Sequence, residues 1–427
     1  MEAAVVQMKS TYARGRILRL LKKGDSRIDP PCSLHFDAER RPRNFCGGCD
    51  WQHLSYSSQL EFKREIVVDC LRRIGGIHDA SVLPAIASPQ IWGYRNKSQV
   101  PFGFEPGRGV VAGFYEPGTH RIVDLAACPV QPELAVKILV KAKDLVGKSG
   151  LVAAAGGGKP WLRHLLIRTN SGGEAMLVLA ARSPRAPAGL PGFLDEIKAA
   201  FPSIAGIHLN VQPLESSVVL GPHWKRLRGR DFIVERLGPF SFRLSPGSFF
   251  QVNASAAEIL YEAATRAAFS GGEEGSSFDL AIDLYCGAGA LAFGASRHVP
   301  RVVGIEENKS AVQDGIQSAA LNNIKNVRLL ALPVERAFKP LRRDLDGSKG
   351  ILALADPPRA GLSEAAVRLL GHPAFKRLVY VSCNPATFSR DAKLLSRARP
   401  SYRLTQIQPV DLFPQTSHVE LVGLLER

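Results

Sequence analysis

The chain has 427 residues, 45% of them hydrophobic, and no apolar run near the ~18 residues that span a bilayer, which excludes a helical membrane protein and leaves room for two or three domains. Lys and Arg number 55 against 39 Asp and Glu, and the net charge of +16 points to a polyanionic partner, nucleic acid first. Met1 is followed by neither a charged n-region nor an apolar h-region, so no secretory signal is read and the cytoplasm is the expected compartment. Nothing in the chain requires more than a monomer.

Residues 1–30 are short and basic, densest from Arg14 to Arg27, and end at Pro30-Pro31. Seven cysteines is an odd number and argues against a disulfide framework. Cys32, Cys46, Cys49 and Cys128 form a group in which Phe45-Cys46-Gly47-Gly48-Cys49 places two thiols on a tight glycine turn, able to face one metal centre. Four sulfurs suit zinc or a four-iron cluster, buried free thiols being the plainer alternative, and the spacing does not choose between the two metals. The periodic stretch Tyr56 to Ile74 reads as a helix that buries Cys70. Alternating Gly and aromatic residues between Trp92 and Arg121 suggest β-hairpins, Pro132 to Val146 a helix, and Trp161 to Thr169 and Ala175 to Ala181 strands. Ser183 to Gly192 reads as a loop. The run His223-Trp224-Lys225-Arg226-Leu227-Arg228-Gly229-Arg230 is either a solvated face or, given its aromatic, a phosphate-and-base surface.

From about Phe232 strands alternate with helices. Phe278 to Leu284, the glycine turn Cys286 to Gly289, the helix Ala290 to Ser296 and the strand Val302 to Ile305 ending in Glu306 make one βαβ unit of a doubly wound sheet. Glycines there let the backbone approach a cofactor, and an acid after the second strand can accept from ribose hydroxyls. That half-motif serves nicotinamide dinucleotides and S-adenosylmethionine alike. Three later residues discriminate. Asp356 follows the apolar run Ile351 to Ala355, Cys383 follows Leu378 to Ser382, and Glu420 lies in Val419 to Leu425, so that a thiol and two acids can meet at one sheet edge as a covalent-catalysis set.

Phe250 to Asn253, Asp283 to Gly289, Asp356-Pro357-Pro358-Arg359, Ser382-Cys383-Asn384-Pro385 and Asp411 to Glu420 resemble, in this order, the signatures of the RNA uracil-C5 methyltransferases over roughly residues 240 to 427. Cys32, Cys46, Cys49 and Cys128 resemble the ligands of the ribosomal-RNA branch, which carries a 4Fe-4S cluster. The resemblance implies an α/β protein: a short N-terminal segment (1–30) similar to the last strands of a β-barrel RNA-binding module, an iron-sulfur and α+β RNA-binding middle domain (31–235), and a C-terminal Rossmann-like domain (236–427). It implies S-adenosylmethionine as cofactor, contacted by Gln251, Tyr285, Glu306 and Asp356. It further implies methylation of uridine C5 in RNA, 23S ribosomal RNA first and tRNA second. Because uracil C5 is a poor nucleophile, Cys383 adds to C6, and Glu420 later removes the C5 proton. Ala290 and Pro333 stand where some relatives have Asn, and the long gap from Cys32 to Cys46 carries the insertion Asp37 to Arg43. A nicotinamide-dependent oxidoreductase using Cys383 as a redox thiol, and a non-catalytic RNA-binding iron-sulfur protein, are the competing classes. The first lacks a partner for hydride chemistry and the second leaves Cys383 and Glu420 without a purpose.

Overall fold

The computed structural model describes residues 1–10, 13–36, 45–151, 160–214, 218–270 and 278–427; the insertion Asp37 to Arg43 lies outside them. β1 (Glu2–Met8) and β2 (Ala13–Arg19) pair antiparallel as a separate hairpin. α1 (Tyr56–Cys70) begins where the Ser55 hydroxyl accepts from the Ser58 N–H and runs on through a π turn at Leu71–Gly75, matching the expected helix. Cys70 on it is half-buried and not a core residue. The short strand β3 (Ser81–Val82) follows.

β4 (Lys97–Glu105), β5 (Gly109–Tyr115) and β6 (Ile122–Asp124) form the expected antiparallel meander. With α2 (Glu133–Ser149), β7 (Leu162–Thr169), β8 (Ala175–Ala181), α3 (Leu190–Ala200), β9 (Ile204–Val211) and β10 (His223–Gly229) they build a seven-stranded sheet of order β10-β9-β8-β7-β4-β5-β6. Helical spacing puts Ala135, Ile138, Leu139, Ala142, Leu145 and Val146 on one face of α2, and that face closes the sheet's core together with Phe193, Leu194 and Ile197 of α3. α3 starts inside the stretch expected to be loop, because Pro191 sits in its first turn, where its missing N–H has no helical partner to lose.

The hairpin β11 (Ile233–Leu237) and β12 (Phe240–Leu244) leads to α4 (Ala254–Phe269), β13 (Leu280–Leu284), α5 (Ala290–Ser296), β14 (Val302–Glu306), α6 (Lys309–Leu321) and β15 (Val327–Ala331). Then come α7 (Phe338–Gly347), β16 (Ile351–Ala355), α8 (Glu364–Leu370), β17 (Phe375–Ser382), α9 (Pro385–Ser396), β18 (Arg403–Val410) and β19 (Glu420–Glu426). The sheet order is β15-β14-β13-β16-β17-β19-β18-β3. β13 to β17 are parallel, and every residue of β13 and β16 is buried, as continuous apolar strands covered on both faces must be. α4 and α5 supply the core on one face; α1, α7, α8 and α9 supply it on the other. The chain winds outward from β13 through β14 to β15, then crosses back to β16 on the other side. The crevice beyond the carboxyl ends of β13 and β16 is therefore a topological switch point.

Residues 56–88 depart from the expected division. Though they fall within 31–235, β3 pairs with β18 through Val82 and Ile407, and α1 packs into the core of the C-terminal sheet. Lys63 on α1 lies 2.5 Å from Asp411, both side chains wholly buried. Gln59 donates to Gln415 Oε1 at 3.0 Å and accepts from the Gln415 N–H at 2.9 Å. Among the described residues no helix is long and apolar enough to cross a membrane.

Removing one member of a buried ion pair strands the other charge, typically at about 3–5 kcal/mol. Lys63→Met is expected to lower the urea unfolding midpoint sharply, whereas Lys63→Met combined with Asp411→Leu recovers much of the loss. A double variant no more stable than the single one would show that the pair itself is not what is lost.

Candidate active site

The turn after β13 is forced into a left-handed path: Tyr285, Gly287 and Gly289 have φ of 64°, 54° and 92°. A positive φ at a tyrosine is uncommon and held by its surroundings. Glu306, at the end of β14, closes the turn, its carboxylate accepting from the Gly287 N–H at 3.0 Å and the Asn308 N–H at 2.8 Å. Gly304 on β14 cannot be larger, since a Cβ would lie 2.5 Å from Leu329 and 2.8 Å from the Cys286 sulfur. Tyr285 and Glu306, both expected at a cofactor, thus stand on neighbouring strand ends.

Asp356 follows β16 and Cys383 follows β17, as the strand reading requires. Glu420 arrives differently. β19 runs antiparallel to β17 with Ser382 opposite Leu421, so Glu420 opens its strand and does not close it. The reversal is what places it beside Cys383. Glu420 is almost completely buried and its Oε2 has no hydrogen-bond partner. Burial, then Asp356, push its carboxyl well above the ordinary range, with Arg359 opposing. Burial alone pushes Asp356 up to about 7. The half-buried Cys383 thiol is pushed up by burial, then by Glu420 and Asp356, while Arg359 favours the thiolate by its charge and a hydrogen bond.

Gln251 belongs to no strand of the sheet. Its loop is carried by the middle sheet: Asn96 donates from its side chain to the Gln251 carbonyl at 3.2 Å and from its backbone to Val252 at 2.8 Å, and Arg168 donates to the Ser248 carbonyl. The Gln251 side chain hydrogen-bonds Tyr261 on α4, a residue surrounded by Asp356, Glu420 and Asp283.

Cys46 and Cys49 flank a turn whose Gly47 N–H donates to the Tyr115 carbonyl at 3.0 Å. Burial pushes Cys46 up to about 11 and Cys49 up to about 12, with Cys128 and Cys32 adding to both, so the four thiols lie within electrostatic reach of one another. N–H donors already point at the sulfurs: Gly48 at 3.3 Å on Cys46, Gln52 on Cys49, and the backbone of Val130 and Gln131 on Cys128. Such donors stabilise metal-bound thiolates. Among the described residues no group of three or more Cys, His, Asp or Glu side chains is arranged to hold a single metal ion.

One cavity of about 1650 Å³ is lined by Gln251, Tyr285, Glu306, Asp356, Cys383 and Glu420 and, on another wall, by Cys32, Cys46, Cys49 and Cys128. That exceeds the ~300–1,000 Å³ of an ordinary small-molecule site, so it has room for more than one body. Ala290 and Pro333 line it too. The exposed edge strand β10 carries the basic run, with Trp224 41% exposed. Three of its arginine charges are already matched: Arg226 with Asp231 at 2.8 Å, Arg228 with Asp195 at 3.2 Å, and Arg230 with Glu174.

A doubly wound sheet whose strand order reverses beneath a glycine-turned, acid-lined cleft is the architecture of a Rossmann-like methyltransferase. Residues 209–427 match the family model described as tRNA (Uracil-5-)-methyltransferase. A relative from Gloeobacter violaceus, named an uncharacterized RNA methyltransferase, is 36% identical over 427 residues, covering 100% of this chain and 89% of its own. One of the same name from Bacillus cereus is 35% identical over 428 residues, covering 99% and 88%. The crystal structure of Pyrococcus abyssi tRNA (uracil-54, C5)-methyltransferase with S-adenosyl-L-homocysteine superposes with a TM-score of 0.69 at 28% identity, covering 89% of this chain and 86% of that one. The chain belongs to the tRNA (uracil-5-)-methyltransferase family.

Local sequence reading assigned nothing to Arg359, His418, Lys63 or Tyr261. The first two stand inside motifs quoted for their neighbours; the others gain meaning only from partners far along the chain. Since Asp356 raises the Cys383 thiol, Asp356→Asn is expected to make that thiol more acidic. At mildly alkaline pH, peptide-resolved iodoacetamide labelling of Cys383 should then be several-fold faster than in the unaltered protein. Slower labelling would reverse the sign of the electrostatics.

Proposed function

We propose that the chain methylates C5 of uridine in RNA, 23S ribosomal RNA by preference, in the cytoplasm, through a covalent adduct with Cys383. The observation that carries this is the meeting of Cys383, Asp356 and an unpartnered, buried Glu420 oxygen at one cavity. Cys383 Sγ bonds to uracil C6, and the C5=C6 pair moves toward the O4 carbonyl as an enolate whose C5 is then nucleophilic. S-adenosylmethionine, when bound, supplies the electrophilic methyl group. Glu420 takes the proton from C5, the C6–S bond breaks, and the double bond returns. Burial makes an ionised Glu420 a stronger base than an exposed carboxylate, and Arg359 favours both that ionised form and the thiolate that starts the sequence.

The donor set fits the cofactor: Glu306 and Asp356 line the cavity, and carboxylates there suit a ligand carrying a sulfonium and an ammonium. Gln251, Tyr285, Glu306 and Asp356 would hold it. The thiols of Cys32, Cys46, Cys49 and Cys128, the last three already accepting N–H hydrogen bonds, fit a 4Fe-4S cluster, and by resemblance that set favours ribosomal RNA. Uracil methylation transfers no net electrons, so the cluster's part would be structural. tRNA is the second reading, favoured by the tRNA substrate of the Pyrococcus abyssi methyltransferase.

Methyl transfer from radiolabelled S-adenosylmethionine to unmodified ribosomal RNA and, separately, tRNA, by anaerobically purified protein, tests the proposal. Label is expected as 5-methyluridine in ribosomal RNA; label at another atom, or none, refutes it. Cys383→Ala should abolish transfer while cofactor affinity stays within about twofold, whereas Glu420→Gln should accumulate a protein–RNA adduct that survives denaturing electrophoresis, because elimination needs the base. Iron and sulfide should be recovered near four per chain and fall in Cys49→Ser.

The Asp356 carboxyl, held near 7, is neutral below that pH and ionised above it. Cofactor affinity should therefore rise as pH increases from about 6 to about 8, and Asp356→Asn should flatten the rise; an unaltered slope in that variant removes Asp356 from the cofactor.

A further inference from the structure

Cys383 stands between two cavities. Besides the large one it lines a second, of about 300 Å³, whose walls include Arg359, Asn384, Ser417 and His418. Cys383, Arg359 and His418 border both. The Arg359 guanidinium donates to His418 Nδ1 at 3.1 Å and hydrogen-bonds Cys383. Guanidinium can only donate, so Nδ1 carries the lone pair and neutral His418 keeps its proton on Nε2, a further donor. Among the described residues no carboxylate is ion-paired with Arg359, in contrast to Arg226, Arg228 and Arg230 of the basic run. A guanidinium offers five donors, and two contacts leave the fork and its charge available to an anion.

The chemistry proposed for Cys383 says which anion. Uracil C6, the atom attacked, is bonded to N1, and N1 carries the ribose. In an anti nucleoside C6 faces the 5′ side of its own sugar. The sugar-phosphate must leave the reacting centre close to the Cys383 sulfur, while the cofactor residues occupy the large cavity. We propose that the small cavity receives the phosphate 5′ to the target uridine, with Arg359 as its charge partner and His418 as a second donor. This rests on the covalent reading of Cys383. It gives Arg359 two coupled tasks, holding the RNA backbone and favouring the thiolate, and it makes the nucleophile's environment depend on whether the phosphate is in place.

The test uses mononucleotides, so it does not wait on identifying the RNA. Protection of Cys383 from iodoacetamide is measured by peptide mass spectrometry with uridine, uridine 3′-monophosphate, uridine 5′-monophosphate or inorganic phosphate, as the ratio of rates without and with ligand. The ratio cancels the change in thiol acidity that Arg359 substitutions cause. The 5′-monophosphate is expected to protect about tenfold more effectively than uridine or the 3′-monophosphate, corresponding to about 1.4 kcal/mol. Arg359→Gln should erase the preference and Arg359→Lys should restore part of it, each variant first shown to unfold at the unaltered midpoint. Equal protection by the two monophosphates, a preference that persists in Arg359→Gln, or absence of protection overturns the proposal. Inorganic phosphate matching the 5′-monophosphate also overturns it, leaving an adventitious anion only. The covalent reading fails separately: RNA carrying 5-fluorouridine, which has no C5 proton to lose, would then form no adduct with Cys383 even if the 5′ preference were intact.

Discussion

Lys63 Nζ lies 2.5 Å from Asp411 Oδ1 with both groups excluded from solvent, and the same amine donates to the Phe413 carbonyl at 3.0 Å. Burial lowers the proton affinity of Lys63 and raises that of Asp411, so each charge is tolerable only because the other is present. The pair fixes one end of the loop that runs from Asp411 to Glu420. Gln59 holds its middle, where Gln415 takes a φ of 71° that a glutamine does not choose unaided. Trp51 donates to the Gln415 carbonyl at 3.0 Å, Tyr94 to the Pro414 carbonyl at 2.9 Å, and Asp50 accepts from the Ser417 N–H at 2.9 Å. A segment far upstream thus clamps the loop that delivers Glu420 to β19.

That clamp links the cysteine wall to the proposed base. Asp50 adjoins Cys49, so the turn bearing Cys46 and Cys49 is one residue removed from a hydrogen bond to the loop leading into His418 and Glu420. Ordering of the cysteine segment and placement of the proposed base are therefore mechanically coupled through a short connection. A metal cluster tying Cys46 and Cys49 to Cys32 and Cys128 would stiffen the same connection without taking any part in bond making, which is the structural part proposed for it.

The C-terminal sheet was legible because its strands are short apolar runs that end in chemistry-bearing residues. Ile351 to Ala355 and Ala290 to Ser296 form the elements their composition dictates, and Tyr285, Glu306, Asp356 and Cys383 follow from them. The direction of β19 was not legible. An apolar strand reads the same in either sense, and only pairing with β17 decides whether Glu420 ends it or begins it. Residues 56–88 were hidden for a related reason: β3 is two residues long, and its place beside β18 is set by the Lys63–Asp411 and Gln59–Gln415 contacts between segments more than three hundred residues apart. Trp224 and its basic neighbours carried a nucleic-acid signal by composition, yet Asp195 and Glu174 from elsewhere in the fold and the adjoining Asp231 already meet most of that charge.

The antiparallel return of β19 has a chemical consequence. Were all the strands parallel, side chains just beyond their carboxyl ends would be spaced along one edge, each one strand further from the next. By entering β19 at that edge, the chain sets Glu420 next to the residue following β17, and so puts a carboxyl group and a thiol on adjacent strands. Two acidic neighbours disfavour the thiolate that the proposed reaction needs, and Arg359, contributed by the loop after β16, is the cation that offsets them. The proposed nucleophile, the proposed base and their counter-charge come from three neighbouring strand ends. The resting charge balance around Cys383 is therefore set by sheet order, and an anion bound beside Arg359 would shift it.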